Sequence, residues 1–130
     1  MPASQYVKTK VTDFLLRATT FTMPTTVYVS LHTANPTDSG TANGTEVSGS
    51  WYVRQPVTFA AQSTPGVTSN SNTITYPAVT GAPVTVTHFA LWDAATLGNM
   101  LEFGTLSASK TFAITDVPSW LPNQLQSNMT

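Results

Sequence analysis

The segment Val84-Thr85-Val86-Thr87-His88-Phe89-Ala90-Leu91-Trp92 carries the strongest strand pattern in this sequence of 130 residues. By the two-residue period of a strand, Val84 and Val86 fall on one face, whereas Phe89 and Leu91 fall on the other. This change of parity predicts either a strand buried on both faces or a β-bulge near His88. The segment therefore predicts a β fold, and the patterns of the segments on either side of it predict strands as well.

The segments on either side predict further strands. Residues 93–99 predict a tight turn and residues 100–106 a returning strand, which together make a hairpin. Upstream, Val27, Val29 and Leu31 alternate with polar residues, as in a half-buried strand. The other predicted strands are residues 51–54 with 57–61, residues 73–76, and Phe112 with Ile114 and Val117. Pro56 lacks a backbone N–H and is expected at a sheet edge or a bulge.

Residues 4–17 predict the one helix. Ser4 is a suitable N-cap, and apolar residues such as Val7, Val11 and Phe14 follow at helical spacing. We expect the helix to lay one apolar stripe on the rest of the chain. Residues 33–50 and 62–72 are polar and rich in turn residues, which predicts two exposed loops.

These elements predict a mainly β protein, with a single jelly-roll-like β-sandwich and one short N-terminal helix. The predicted organisation is one domain over residues 1–130, with the sandwich over residues 26–118. Residues 119–130 are predicted to form a polar tail or a final edge strand.

The composition excludes several classes of function. Charged residues make up 8% of the chain, the formal net charge is -1, and Lys and Arg number five. Binding to nucleic acid needs several cations against phosphates, so we expect none. The absence of cysteine removes disulfides, thiolate metal sites and thiol nucleophiles. No stretch is long and apolar enough to predict a signal peptide or a membrane span.

No arrangement of residues predicts catalysis or metal binding. His88 with Asp93 and a serine would be the candidate hydrolytic triad, but the G-x-S-x-G nucleophile elbow is absent. A metal site would draw on His32, His88, Asp93 and Glu102, yet no two of them have the short spacing of a known site. We expect His32 to point away from the apolar face and His88 to bond to the backbone at a bulge. The prediction is therefore no enzyme, no metal and no cofactor.

The aromatic residues leave two alternatives open. Trp51, Tyr52, Trp92 and Trp120 would stack on the sugar rings of a host glycan if they were exposed. A tryptophan in a strand, however, belongs more often to a core or a subunit interface. Edge strands and apolar residues favour association with other proteins. The residues predicted to contact a partner are Trp51, Tyr52, Trp120, Leu121 and Leu125.

Several motifs together resemble a family of small virion proteins of tailed bacteriophages. In order they are the short helix, residues 27–36 (VYVSLHTANP), 44–49 (GTEVSG), 52–59 (YVRQPVTF), 86–96 (VTHFALWDAAT), 98–101 (GNML) and 103–106 (FGTL). The resemblance covers most of residues 5–118. The sequence departs from the family at residues 116–122, where members close with a Gly- and Ala-rich strand.

The resemblance implies a virion structural protein, because members are labelled either as head-decoration or cement proteins or as tail or tail-fibre proteins. We expect a capsid decoration or cement protein, in the form of a trimer, on the outer capsid surface, where it bridges copies of the major capsid protein. The alternative is a structural or receptor-contact protein of the tail or tail fibre. In either case we expect Glu46 and Arg54 to pair and anchor the loop of residues 33–50, and Asp93 to cap the turn that follows it.

Overall fold

The computed structural model describes residues 2–39 and 44–128. Met1, residues 40–43 of the predicted long loop and the last two residues of the predicted tail lie outside this range. The elements in chain order are α1 (Gln5–Arg17), β1 (Val27–His32), β2 (Gln55–Val57), β3 (Val67–Ser69), β4 (Ile74–Thr75), β5 (Val84–Trp92), β6 (Met100–Phe112), β7 (Ser119–Trp120) and β8 (Gln126–Asn128).

The main sheet has four antiparallel strands in the order β2-β1-β5-β6. In its register Val29 lies opposite Leu91 and Leu31 opposite Phe89, so the apolar residues of β1 and β5 share one face. The pairs β3-β8 and β4-β7 form the other layer, and Ile74, Trp120 and Leu125 pack with that face. The predicted mainly β sandwich with one N-terminal helix is confirmed.

The other face of the main sheet is buried as well. Ser30 and His32 on β1, and Ala90 and Trp92 on β5, are all almost fully buried there. His32 does point away from the apolar face, as predicted, but the prediction of a half-buried strand is wrong because the opposite face is buried too. The chain covers this face with side chains from residues 45–54, which are distant from β1 in the sequence.

The β-bulge predicted near His88 is confirmed. Val86 lies opposite Lys110 and His88 opposite Thr105, so one residue of β5 faces four residues of β6. After this bulge β6 pairs with β5 again and runs to Phe112. The separate strand predicted through Ile114 and Val117 is therefore wrong, because the chain turns at Asp116, whose carboxylate accepts the Ala113 N–H at 2.8 Å.

Two short strands differ from prediction. Strand β2 runs through Pro56, so the predicted break there is wrong, although Pro56 does lie on an edge strand. The predicted loop of residues 62–72 contains β3, which pairs with β8 in the C-terminal segment. Of the two forms predicted for that segment, the structure shows the strand.

Helix α1 begins and ends as its sequence predicts. The Ser4 hydroxyl accepts the Val7 N–H at 3.2 Å, and Ala18 ends the helix in the left-handed conformation. The Ser4 N–H donates to the carbonyl of Leu101 on β6, which fixes the start of the helix against the main sheet. Within the described residues no helix is long and apolar enough to cross a membrane.

Candidate functional site

The guanidinium of Arg54 lies at the centre of a polar cluster that joins several segments of the chain. Its Nε and Nη2 donate to the two carboxylate oxygens of Glu46 at 2.8 and 2.9 Å. Its Nη1 donates to the carbonyls of Ala94 and Leu97, in the turn between β5 and β6, at 3.1 and 2.8 Å. The pair predicted from the sequence thus forms as a bidentate salt bridge, and it also holds the hairpin turn.

Two aromatic rings complete this cluster. The guanidinium lies 3.8 Å from the centre of the Trp92 ring, a cation–π contact on the buried face of the sheet. The Tyr52 hydroxyl donates to Glu46 at 2.8 Å and accepts the N–H of Leu31 at 3.2 Å. We name Glu46, Tyr52, Arg54 and Trp92 the Arg54 lock. It joins a loop, a strand and a hairpin turn.

The ionisation of the lock follows from these contacts. Burial acts to raise the pKa of Glu46, but the hydrogen bonds from Arg54 and Tyr52 and the charge of Arg54 outweigh it and lower that pKa. Burial and the neighbouring carboxylate raise the pKa of Tyr52. Glu46 is therefore ionised and Tyr52 neutral near pH 7, which leaves neither group poised for proton transfer.

A chain of buried hydrogen bonds continues from the lock through His32. Trp92 Nε1 donates to the Ser30 hydroxyl at 2.7 Å, and that hydroxyl lies 2.6 Å from His32 Nε2. Because the Ser30 hydroxyl accepts from Trp92, its own proton is available to donate to His32 Nε2. The ring proton of His32 therefore sits on Nδ1, which donates to the Thr45 hydroxyl at 2.9 Å. His32 is thus a structural, neutral histidine.

The His32→Asn variant tests this assignment through pH. Burial lowers the pKa of His32 from 6.5 to about 4. The charge of Glu46 acts to raise this pKa, whereas the charges of Arg54 and His88 lower it further. The unfolded chain takes up the proton first, so the folded state loses stability as the pH falls from 6.5 to 4. We expect the wild type to lose about 3 kcal/mol of unfolding free energy over this interval relative to the variant.

The comparison is made by urea denaturation of both proteins at each pH. The pKa of Glu46 is lowered and that of Glu102 raised, and these groups titrate in both proteins, so the difference between the two curves isolates His32. Parallel curves for the two proteins would contradict the assignment.

Of the residues considered for chemistry, His32 and His88 lie opposite each other in the register of β1 and β5. His88 bonds to the Thr87 hydroxyl at 2.8 Å rather than to the backbone as predicted. Asp93 accepts the N–H and the side-chain amide of Asn99, which is the turn cap that the sequence predicts. Glu102 accepts from Ser127 at 2.7 Å, and burial raises its pKa. No three potential ligands come together to hold a metal ion among the described residues.

The residues predicted to contact a partner fall in different places. Trp51, Trp120 and Leu125 are buried in the core, and Tyr52 belongs to the lock. Their surfaces are covered within the chain because both layers of the sandwich pack on them. Leu121 is exposed, and for it the contact stays a prediction. Trp92 is buried too, so no tryptophan presents a stacking surface for a glycan.

Three consecutive apolar residues of the helix, which was expected to lay its apolar stripe on the rest of the chain, are exposed instead. Phe14, Leu15 and Leu16 are 52, 69 and 79% exposed. The signal was present in the sequence, because three consecutive large apolar residues cannot all lie in one stripe of a helix. Contiguous apolar side chains on a surface are a common feature of protein-interaction sites.

A polar cluster that joins the protein's own loops, together with apolar side chains exposed on the surface, suits a structural subunit of an assembly. In agreement, the family model described as "Podophage GP4 fiber I protein gp80" matches residues 2–128. The chain belongs to this family and is a structural protein of the bacteriophage virion, of the fibre type. The virion family predicted from the sequence is thereby confirmed. No curated protein matches the chain.

Proposed function

We propose that this protein is a non-enzymatic structural component of a phage tail fibre. The observation that carries the proposal is the match of a podophage fibre family to residues 2–128. Within the virion, its role is to bury surface against neighbouring subunits and so to stabilise the assembled fibre.

The geometry supports a structural role over a catalytic one. The guanidinium of Arg54 donates four hydrogen bonds, two to Glu46 and one to each of two turn carbonyls. Both ring nitrogens of His32 are also hydrogen-bonded. A general base needs a free nitrogen or oxygen within reach of a substrate, and these groups offer none. The cluster therefore fixes the positions of loops.

The family supports a location in the tail. The first expectation from the sequence was the outer capsid surface. A cement protein would bridge copies of the major capsid protein, and nothing in the fibre family points to that partner. The partners that we propose are further copies of this chain and adjoining tail proteins. The trimer expected from the sequence stays a prediction.

Copy number separates the two locations. Quantitative peptide mass spectrometry of purified particles, with the major capsid protein as the internal reference, measures it directly. We expect this protein at a small fraction of the copies of the capsid protein. A copy number comparable with that of the capsid protein would contradict the fibre proposal and support a cement protein. Absence from the particles would refute both.

A further inference from the structure

The carboxyl group of Glu102, on β6, is buried and only half satisfied. Glu102 is 6% exposed, and its Oε2 accepts the Ser127 hydroxyl at 2.7 Å. Its Oε1 is the one buried side-chain nitrogen or oxygen atom in the described residues that lacks a hydrogen-bond partner. A buried carboxylate with a single donor is unfavourable in its charged form, because the water that it loses is not replaced by protein donors. Burial therefore favours the protonated form.

The charges around Glu102 do not compensate for this burial. Burial raises the pKa of Glu102, and its effect outweighs the hydrogen bond from Ser127 and the charge of the amino terminus, which both lower that pKa. Strands β3 and β8 carry no titratable side chain. The titratable and charged side chains of β5, β6 and α1 are engaged with other residues, namely His88, Lys110, Tyr6, Lys8, Lys10, Asp13 and Arg17.

Two segments of the chain contact β6 at Glu102, and they are held in different ways. The N-terminal segment bonds to the main chain of β6 on both sides of Glu102, at Leu101 and Phe103, with donor–acceptor distances of 2.9 and 3.3 Å. Strand β8 has three residues and reaches Glu102 through the side chain of Ser127. The main-chain bonds do not end on the carboxyl group, whereas the bond from Ser127 does. The contact with β8 is therefore the one that depends on the charge of Glu102.

The chain has a fixed point immediately before β8. The N–H of Leu125 donates to the side-chain oxygen of Asn70 at 2.9 Å, and the carbonyl of Leu125 accepts the N–H of Asn70 at 3.0 Å. Leu125 is also 3% exposed, so packing holds it as well. Movement of this segment therefore begins after Leu125 and involves residues 126–128, which pair with β3 in a sheet of two strands.

We propose that Glu102 is a proton-operated clasp for strand β8. When its carboxyl group is protonated, the group stays buried against Ser127 and β8 stays paired with β3. When the carboxyl group ionises, its second oxygen is hydrated only if residues 126–128 move away, which leaves the edge of β3 unpaired. The inference goes beyond the proposed function, since it concerns a response to pH and does not depend on the location of the chain in the virion.

The direction of the response follows from the raised pKa. Glu102 binds its proton more tightly when β8 is docked than when it is released. Docking is therefore strongest below pH 4.5 and weakens as the pH rises through the higher pKa of the docked state. Because one proton is involved, the docking equilibrium changes by at most about tenfold per pH unit. The sign is opposite to that of the His32 effect, so the two effects are separable.

Hydrogen exchange of the backbone amides of β3 and β8 measures docking in the full chain, from pH 4.5 to about pH 8, after correction for the intrinsic exchange rate at each pH. The amides of β1 and β5 report opening of the whole domain. We expect protection of β3 and β8 to fall in the wild type as the pH rises. Glu102→Gln keeps an acceptor for Ser127 and carries no charge, so its protection should stay at the low-pH level of the wild type. Asp13→Asn is the matched control, because Asp13 pairs with the exposed Arg17, and it should respond as the wild type does.

The Ser127→Ala variant separates a clasp from a purely structural glutamate. The hydrogen bond that it removes lowers the pKa of Glu102, so the fall in protection should extend to higher pH than in the wild type. A wild type whose β8 protection does not change with pH, or a Glu102→Gln variant that responds as the wild type does, would overturn the inference. A fall of equal size in the amides of β1 and β5 would also overturn it, because the whole domain would then be opening.

Discussion

The Arg54→Met variant is expected to lose about 3–5 kcal/mol of unfolding free energy. The side chain of Arg54 is 7% exposed and that of Glu46 is 20% exposed, so the substitution leaves a largely buried carboxylate without its cation. The carbonyls of Ala94 and Leu97 lose their donor at the same time. Urea denaturation at pH 7 measures the loss.

Arg17→Met is the matched control for this variant. Arg17 also pairs with a carboxylate, that of Asp13, but its side chain is 73% exposed. Exposed pairs of this kind contribute little, so we expect a change within about 0.5 kcal/mol. The double variant Glu46→Gln with Arg54→Met should recover part of the loss, since it removes both charges. An Arg54→Met variant as stable as Arg17→Met would show that the lock is not structural.

The Trp120→Ala variant is expected to lose about 3–5 kcal/mol of unfolding free energy. Trp120 is 2% exposed, and its ring meets those of Tyr76 and Phe112 edge to face, with centres 6.0 and 6.1 Å apart. Removal of the ring leaves a cavity between the two layers of the sandwich. Thermal and urea denaturation both report the effect.

The next residue in the chain provides the control for Trp120. Leu121 is 58% exposed, and Leu121→Ala should change stability by no more than about 0.5 kcal/mol. The pair of variants separates a core role for Trp120 from the partner contact expected from the sequence. A stable Trp120→Ala protein with weakened assembly would favour the partner contact.

The sequence predicts most reliably those features that depend on neighbouring residues. The alternation of Val27, Val29 and Leu31 locates β1, and the parity change around His88 locates the bulge. The helix start depends on Ser4 and its end on the residues that follow Arg17. In each case the pattern lies within about ten residues.

Features that depend on distant segments were not predictable in this way. The pairing of β3 with β8 could not be predicted, because both strands are short and polar and only the folded chain brings them side by side. His32 is buried because Thr45 and the lock cover the second face of the sheet. A strand pattern alone does not show whether another segment will cover its polar face.

The Arg54 lock has one contact that was predicted from the sequence and others that depend on distant segments of the chain. Glu46 and Arg54 were predicted to pair because they carry opposite charges within two motifs that resemble the family. The stacking on Trp92 and the bonds to the turn carbonyls depend on the position of the β5–β6 hairpin, which no local pattern fixes. The exposure of Phe14, Leu15 and Leu16 was missed because apolar residues at helical spacing were assumed to be buried.

A cryo-electron microscopy map of the intact particle tests the central claim most directly. The claim is that this chain is a building block of the tail fibre. The account predicts that density for the four-stranded sheet and its helix appears in the tail, in several adjoining copies. Density for the same fold distributed over the capsid lattice would contradict it.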